Sequence, residues 1–481
     1  MSPRGIGANI RGLTLVIALA FLVTSFGAGY WTLVAAEELG SDPFNPRLVA
    51  AIRDRPRGAI VDSAGGVLAE SVKSGNGYVR RYRDRTLAHV VGYASFKYGT
   101  AGIEAAYSDS LVGQDPADPL ASWRARYLGE RDAPGAVVLG IDPKVQAAAA
   151  GALAATGRRG AIVALDPRTG TILASASLPN FDPNQIVDPA TEDVAWQQVN
   201  GNADRPLIDR ARSGLYPPGS TFKIVTGAAA LESGVDPDAK VRVDDPWQAD
   251  PSWGPYHVRS ASRAHGDFTM SDAFRLSENI YFAKVGLQIG GQRLGEYAQR
   301  FGIGAAPRCD ISAAKGQLSG TGALDRPTLI ADTAYGQGEL LASPLQMALV
   351  AAAIGRGGVM PTPHYATEVR DAAGNTIRTI APGAAGQVIR PDTAARVTQM
   401  LVAAVSGPGA FAFGAKIQGV NVAGKTGTAE NPQGSPHGWF VGFAPAEAPV
   451  VAVAVIIENA GQGGVDAAPL GGRVMQAALG R

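Results

Sequence analysis

The 481-residue sequence predicts a large α+β domain that follows a small N-terminal domain and one membrane helix. Three observations support this organisation. An uncharged segment covers residues 12–36, the most charged and irregular part lies at 47–133, and from residue 134 strand-like segments at both ends enclose mainly helical ones. We therefore expect a tail over 1–11, a membrane anchor over 12–36, a pedestal domain over 37–133 and the α+β domain over 134–481.

The composition excludes several classes of protein. A formal net charge of +1 lacks the basic footprint of a nucleic-acid-binding protein. The one cysteine, Cys309, rules out an internal disulfide framework and a cysteine-based metal cluster. An apolar content of 46% is enough to form a core, so the chain is not intrinsically disordered.

The uncharged segment Gly12–Ala36 is long enough to span a bilayer, which takes about 20 apolar residues in a helix. Arg4 and Arg11 precede it and Glu37 follows it, so the positive-inside rule places the N-terminus in the cytoplasm and the bulk of the chain outside. A cleaved signal peptide is the alternative, because Val34–Ala36 resembles a cleavage site. The apolar run exceeds the usual signal core of about 7–15 residues, which favours an uncleaved anchor.

The pedestal segment begins with two short strands, 57–62 and 65–69, joined by a glycine turn. It is rich in arginine, and structural ion pairs or a solvated face explain these side chains better than an anionic ligand does. The arginines are Arg53, Arg55, Arg57, Arg80, Arg81, Arg83 and Arg85. Residues 132–135 (Asp-Ala-Pro-Gly) indicate a linker.

The α+β domain begins with a helix and a hairpin and ends with two strands and a helix. Asp142 followed by proline is typical of a helix start, and the turn at 166–170 separates two apolar runs. The predicted elements are a helix over 142–155, strands over 160–165, 171–176, 438–443 and 450–457, and a helix over 467–479. We expect one sheet built from both ends of this domain.

A serine and a lysine mark the start of an apolar helix in Ser220-Thr221-Phe222-Lys223. Residues i and i+3 share one face of a helix, so Lys223 can reach the Ser220 hydroxyl. A serine is a weak nucleophile until a base removes its proton, and lysine can serve if burial or a second cation lowers its pKa. A second copy, Ser312-x-x-Lys315, runs into glycine-rich chain, and we interpret it as a loop.

Ser277-Glu278-Asn279 interrupts a helical region. Ser277 and Asn279 can point into one site only if the chain is locally extended or turns, and the pair could then relay a proton and donate an amide hydrogen bond. A turn or helix cap remains the simpler explanation for these residue types.

Lys425-Thr426-Gly427-Thr428 ends a segment that also fits the phosphate-binding loop pattern. That loop must open a helix, but Gly427 to Pro432 is a poor helix start, so we reject a nucleotide site and predict a strand. On a strand, Gly427 leaves room for a substrate backbone, while the lysine and the threonine hydroxyls can hold a carboxylate.

The three motifs, taken in this order, resemble those of the serine penicillin-recognising enzymes. Further segments are similar to class B penicillin-binding proteins, most of all the short actinobacterial penicillin-binding protein A type. They are Pro217–Lys223, Asp182–Asn184, Gly336–Gly338, Pro344–Gln346, Gly438–Pro445, Arg57-Gly58 with Asp62, and Gly102–Glu104. The resemblance implies a penicillin-binding/serine β-lactamase-like transpeptidase fold, an antiparallel sheet covered by helices, preceded by a pedestal/dimerisation-type domain over 37–133.

The resemblance also implies a role for each matched residue in cross-linking peptidoglycan stem peptides that end in D-Ala-D-Ala. Ser220 would form the acyl-enzyme, with Lys223 as base, Ser277 as proton relay and Asn279 holding the substrate and Lys223. Lys425 would supply positive potential, Thr426, Gly427 and Thr428 would bind substrate, and the backbone N–H groups of Ser220 and Thr428 would form the oxyanion hole. β-Lactams would acylate Ser220, and no metal or cofactor is implied.

Two alternatives remain open on the same motifs. One is a different enzyme on this fold, a D,D-carboxypeptidase or a β-lactamase. The other is a non-catalytic β-lactam sensor or membrane-anchored scaffold. In every case we expect the pedestal segment to contact other cell-wall synthesis or division proteins, such as a polytopic glycosyltransferase.

Overall fold

The computed structural model describes residues 3–33, 56–75, 77–113, 133–260, 263, 265–431 and 434–481. Helix α1 (Pro3–Leu33) contains the apolar span Ile10–Tyr30, and among the described residues it alone is long and apolar enough to cross a membrane. The possible cleavage site at 34–36, Arg53, Arg55 and the start of the predicted linker lie outside the described residues.

The strands form two larger sheets and three two-stranded ones. In chain order they are β1 (Ile60–Val61), β2 (Val67–Ser74), β3 (Gly77–Tyr82), β4 (Ala94–Ser95), β5 (Gly99–Thr100), β6 (Ala136–Leu139), β7 (Gly160–Leu165), β8 (Ile172–Leu178), β9 (Val241–Asp244), β10 (His265–Phe268), β11 (Val359–Thr362), β12 (Ala366–Arg370), β13 (Thr376–Thr379), β14 (Gly383–Gln387), β15 (Ala423–Ala429), β16 (His437–Ala444) and β17 (Val451–Ile457).

The helices after α1 lie between and around these strands. They are α2 (Ala88–Val91), α3 (Gly102–Ala106), α4 (Ser108–Leu111), α5 (Pro143–Ala154), α6 (Pro183–Val187), α7 (Glu192–Asn200), α8 (Lys223–Glu232), α9 (Met270–Arg275), α10 (Asn279–Ile289), α11 (Gly291–Arg300), α12 (Pro327–Ala334), α13 (Pro344–Gly355), α14 (Pro391–Ser406), α15 (Gly463–Asp466) and α16 (Ala468–Ala478).

The five-stranded antiparallel sheet, in the order β15-β16-β17-β7-β8, is the centre of the α+β domain. Every residue of β16 and β17 is buried, because helices cover both faces. One face packs with α8, α10 and α13, and the other packs with α5 and α16. The sheet joins the two ends of the domain, as the sequence predicted, and the six elements predicted for those ends are correct to within two residues.

A six-stranded sheet, in the order β13-β12-β6-β1-β2-β3, links the N-terminal segment to the α+β domain. The first predicted strand is shorter than expected and the second is longer. Strand β6 directly follows the predicted linker and pairs with β1 on one side and β12 on the other. The two parts of the chain therefore share a sheet, which local sequence patterns do not reveal.

Two of the arginines near the N-terminus form a buried ion-pair cluster. Glu104 is fully buried and accepts hydrogen bonds from Arg57 Nε at 2.9 Å and Arg80 Nε at 2.6 Å. Both oxygens of the carboxylate are thus satisfied, as a buried charge requires. The exposed Arg83 pairs with Glu70. For these arginines the structure agrees with the ion-pair interpretation.

Candidate active site

Ser220 lies in a 3₁₀ turn, Gly219–Phe222, that leads directly into α8. Gly219 has φ +55°, which permits the tight entry after Pro218, and Thr221 Oγ1 donates to Pro218 O at 2.7 Å. The Ser220 side chain is half-buried, whereas Lys223, the first residue of α8, is fully buried. Lys223 Nζ lies 2.9 Å from Ser220 Oγ, the contact that the i, i+3 spacing predicted.

The remaining partners of Lys223 orient its amine. Its Nζ donates to the Ser277 carbonyl oxygen at 2.7 Å and to Asn279 Oδ1 at 2.6 Å. Both of these oxygens can only accept, so they occupy two N–H groups of the amine. In the neutral amine the lone pair can then accept the Ser220 hydroxyl proton, which is the arrangement that a general base needs.

Ser277 lies in the turn between α9 and α10, and Asn279 is the first residue of α10. Ser277 has φ +56°, a left-handed conformation that costs energy for a residue other than glycine. This turn places both the carbonyl and the hydroxyl of Ser277 near the lysines, and Asn279 Nδ2 donates to Arg259 O at 2.9 Å. The turn required for a shared site is therefore present, although Glu278 also caps α10.

Lys425, on strand β15, also contacts Ser277. Its Nζ donates to Ser277 Oγ at 2.8 Å and to the Thr426 carbonyl oxygen at 3.0 Å, and its side chain is 1% exposed. Burial lowers the pKa of Lys425 to about 7. Burial, and next the charge of Lys425, hold the pKa of Lys223 well below its ordinary value, whereas the charge of Glu278 acts in the opposite direction.

Strand β15 is an edge strand, and its open edge faces the 3₁₀ turn of Ser220. A Cβ on Gly219 would lie 2.8 Å from Thr428 O, so that carbonyl points away from β16. The N–H and C=O of one residue point to the same side of an antiparallel strand, so the Thr428 N–H also points toward the turn. The Ser220 N–H is at the start of the turn, where the first amides lack partners within it.

The three residues after Lys425 differ in their surroundings. Thr426 is buried, and Thr428 is exposed at the open edge. The sequence predicts that Gly427 leaves room for a substrate backbone, and the structure shows a packing constraint at the same residue. A Cβ there would lie 2.9 Å from Pro218 O and 3.1 Å from both Thr221 Cγ2 and Trp439 Cβ. The packing of β15 against the turn of Ser220 therefore requires a residue without a side chain at this position.

Two contacts that the sequence motifs did not identify fix the turn of Ser220. Trp439 Nε1 donates to Pro217 O at 3.0 Å, and Gly219 N donates to Gly336 O at 2.8 Å. Gly336 has φ +90°, and a Cβ on it would lie only 1.8 Å from Gly219 O. Trp439 and Gly336 lie in segments that carry the family resemblance, and that resemblance is the sequence signal that could have identified them. Arg259 contributes only its backbone carbonyl, so no sequence signal marks it.

The second serine–lysine pair is placed differently. Ser312 and Lys315 are exposed and lie outside the helices and strands, as predicted. The structure brings Ser220, Lys223, Ser277, Asn279 and Lys425 into one connected hydrogen-bond network. Among the described residues there is no group of three or more histidine, cysteine or acidic side chains that could hold a metal ion.

A serine beside a buried lysine, at the entry to a helix that packs against an antiparallel sheet, is the arrangement typical of active-serine acyl-transfer enzymes. Comparison with known proteins gives the family. Residues 160–476 match the penicillin binding protein transpeptidase domain, and residues 57–138 match the penicillin binding protein A dimerisation domain. The chain therefore belongs to the penicillin-binding protein transpeptidases, of class B.

Similar proteins extend over nearly the whole chain. Peptidoglycan D,D-transpeptidase PbpA of Mycolicibacterium smegmatis is 34% identical over 98% of this chain and 99% of its own length. The protein of that name from Mycobacterium tuberculosis is 32% identical over the same shares. The structure of penicillin-binding protein A from M. tuberculosis as a ceftriaxone acyl-enzyme complex has a TM-score of 0.81, with 32% identity over 89% of this chain and 99% of that one.

Proposed function

We propose that the protein is a serine peptidoglycan D,D-transpeptidase, which cross-links stem peptides through an acyl-enzyme on Ser220. Its relatives over nearly the full length carry this activity in their names. The observation that carries the proposal is the position of the Lys223 amine. Two oxygens that can only accept hydrogen bonds hold it, and its lone pair in the neutral form is then free to face Ser220 Oγ.

In the first step Ser220 Oγ attacks the carbonyl carbon of the penultimate D-alanine, and Lys223 Nζ takes the hydroxyl proton. The peptide C–N bond then breaks, and the proton passes through Ser277 Oγ to the leaving amine of the terminal D-alanine. Ser277 suits this relay because its hydroxyl lies 3.4 Å from Lys223 Nζ and 2.8 Å from Lys425 Nζ. In the second step the amine of a neighbouring stem peptide attacks the ester, and Ser220 recovers its proton.

The remaining residues bind the substrate and stabilise charge. The positive charge of Lys425 favours the neutral form of Lys223, and Thr426 and Thr428 contact the terminal carboxylate. Asn279 holds the substrate and Lys223. The N–H groups of Ser220 and Thr428 bind the developing oxyanion, an interaction worth about 3–4 kcal/mol per donor. Gly427 supports this edge by letting the strand approach the turn.

β-Lactams acylate the same serine in this proposal, and structures of the M. tuberculosis relative are acyl-enzyme complexes with ceftriaxone and imipenem. A D,D-carboxypeptidase, a β-lactamase and a non-catalytic sensor remain the competing functions. The four functions differ in what reaches the acyl-enzyme: an amine in the transpeptidase, water at the peptide ester in the carboxypeptidase, water at the penicilloyl ester in the β-lactamase, and nothing in the sensor.

Incubation with a stem-peptide thioester and D-alanine separates these functions. We expect a new peptide that carries the added D-amino acid, together with a penicillin label that stays attached, and neither product in Ser220→Ala. Hydrolysis alone would identify a carboxypeptidase, and rapid loss of the label would identify a β-lactamase. Stable labelling without turnover of the thioester would identify a sensor.

The proposed function also includes the membrane orientation of the protein and its protein partners. Helix α1 anchors the chain with its N-terminus in the cytoplasm, and residues 134–481 form the extracytoplasmic catalytic domain. Residues 37–133 form a pedestal that contacts other cell-wall synthesis or division proteins, such as a polytopic glycosyltransferase. A periplasm-active reporter fused after residue 481 should be active and one fused before residue 1 inactive, and the reverse pattern would refute this orientation.

A further inference from the structure

Glu278 is a buried carboxylate that the proposed reaction does not use. It stands between Ser277 and Asn279 and has no solvent exposure. Its Oε1 accepts the Ile280 backbone N–H at 3.0 Å, and its Oε2 accepts the Ser260 hydroxyl at 2.5 Å. Both donors are neutral, so these hydrogen bonds satisfy the oxygens without balancing the charge.

The charges around Glu278 come from three other elements. Lys223 of α8 and Lys425 of β15 lie on the side of the active site, and both contact Ser277. On the opposite side, Ser260 donates its backbone N–H to Asp245 Oδ1 at 2.7 Å. The side chain of Arg259 is exposed. Both lysines are buried, and each contacts Ser277, the residue next to Glu278.

A buried site with two lysines and one carboxylate has a preferred charge state. With one lysine protonated and the other neutral, Glu278 makes the group neutral overall. Without the carboxylate, one protonated lysine leaves an uncompensated buried charge, which is costly in a protein interior. The carboxylate thus favours one protonated lysine, and burial disfavours two.

We infer that Glu278 is a positioning residue that balances the charge of one active-site lysine, so that one lysine stays protonated while the other remains available as the base. This inference rests on the proposed function of the two lysines. The directions of the pKa shifts of Lys223 agree with this inference, because Glu278 raises the pKa of Lys223 whereas burial and the charge of Lys425 lower it.

Glu278 also has a structural role that the test must separate. Glu278 and Asn279 are adjacent, and they hold two adjacent residues of the preceding loop, Ser260 and Arg259. Loss of these contacts would loosen the loop and lower the rate without changing any titration. A change in the pH dependence of the rate, rather than the rate itself, is therefore the informative measurement.

The experiment measures the second-order rate of acylation by a fluorescent penicillin as a function of pH in the full-length protein. In the wild type the rate falls on the acid side as Lys223 gains its proton and on the alkaline side as Lys425 loses its proton. Glu278→Gln removes the negative charge and so destabilises protonated Lys223. We expect the acid side of the profile, which reports the protonation of Lys223, to move to lower pH by about one unit.

Two matched variants keep the charge. Glu278→Asp should restore the position of the profile, whatever its maximal rate. Ser260→Ala removes the hydroxyl that binds Glu278 Oε2, and its profile should coincide with that of the wild type in pH while its height changes. A Glu278→Gln profile that is lower but unmoved would overturn the inference and leave Glu278 a purely structural residue.

A second measurement covers the case in which Glu278→Gln does not fold. In wild-type protein with ¹⁵Nζ-labelled lysine, NMR at about pH 6, below the pKa of Lys425, should show one neutral and one charged signal from the two buried lysines. Two neutral signals, or two charged ones, would overturn the inference. Absence of any penicillin label on the folded wild type would instead contradict the proposed function, so the two failures are distinguishable.

Discussion

Gly336→Ala tests whether the position of the Ser220 turn limits the rate of acylation. The added Cβ would lie 1.8 Å from Gly219 O, 2.5 Å from Gly219 C and 3.0 Å from Gly219 Cα. Cβ atoms do not approach other atoms within 3.0 Å, so the Gly219 carbonyl must move by about 1.2 Å, the difference between the two distances. Gly219 precedes Ser220, and the nucleophile moves with it.

A displacement of about 1 Å at a reacting group can cost on the order of 100-fold in rate. We therefore expect the second-order rate of labelling by fluorescent penicillin to fall about 100-fold. The backbone at φ +90° also disfavours alanine, by about 1–2 kcal/mol. Thermal unfolding measures this second effect separately.

Gly338→Ala is the matched control. Gly338 has φ +73°, but a Cβ there would lie 3.0 Å from the Asp332 Cβ rather than against the turn of Ser220. Its stability should fall by a similar amount while its labelling rate stays within a few-fold of the wild type. Equal labelling rates in the two folded variants would refute the reasoning that Gly336 positions the nucleophile.

Two further substitutions test other contacts. Trp439→Phe removes the indole hydrogen bond to the turn before Ser220. The free energy of unfolding in urea should fall by about 1–3 kcal/mol, and the labelling rate should fall with it. An unchanged rate would show that this contact does not position the turn. Glu104→Gln leaves Arg57 and Arg80 without their buried counter-charge, so the free energy of unfolding should fall by about 3–5 kcal/mol. Glu70→Gln at an exposed ion pair should lower it by less than about 1 kcal/mol. Equal losses of stability would contradict the role of burial.

Much of the fold was predictable because its signals are local. The all-buried strands β16 and β17 appear as continuous apolar runs, and proline after Asp142 marks the start of α5. The shared six-stranded sheet was not predictable in the same way. Strand β6 is four residues long and pairs with partners far away in the chain, so nothing in its own sequence identifies them.

The same difference between local and long-range signals applies to the candidate site. The spacing of Ser220 and Lys223 sets their contact, because both lie within one helical turn. The convergence of Ser277 and Lys425 depends on a left-handed backbone at Ser277 and on a strand edge formed by distant residues, and only the family resemblance linked these motifs before the structure did. The tight packing at Gly336 and Gly427 depends on tertiary distances, so a sequence pattern could suggest glycine there without giving its reason.

The most direct test of the account is to identify the residue that penicillin modifies. Full-length protein is incubated with penicillin, digested and mapped by mass spectrometry, with Ser220→Ala and Ser312→Ala analysed in parallel. We expect the penicilloyl group on Ser220 in the wild type and in Ser312→Ala, and no adduct in Ser220→Ala. An adduct on Ser312, or one that persists in Ser220→Ala, would contradict the assignment of Ser220 as the nucleophile.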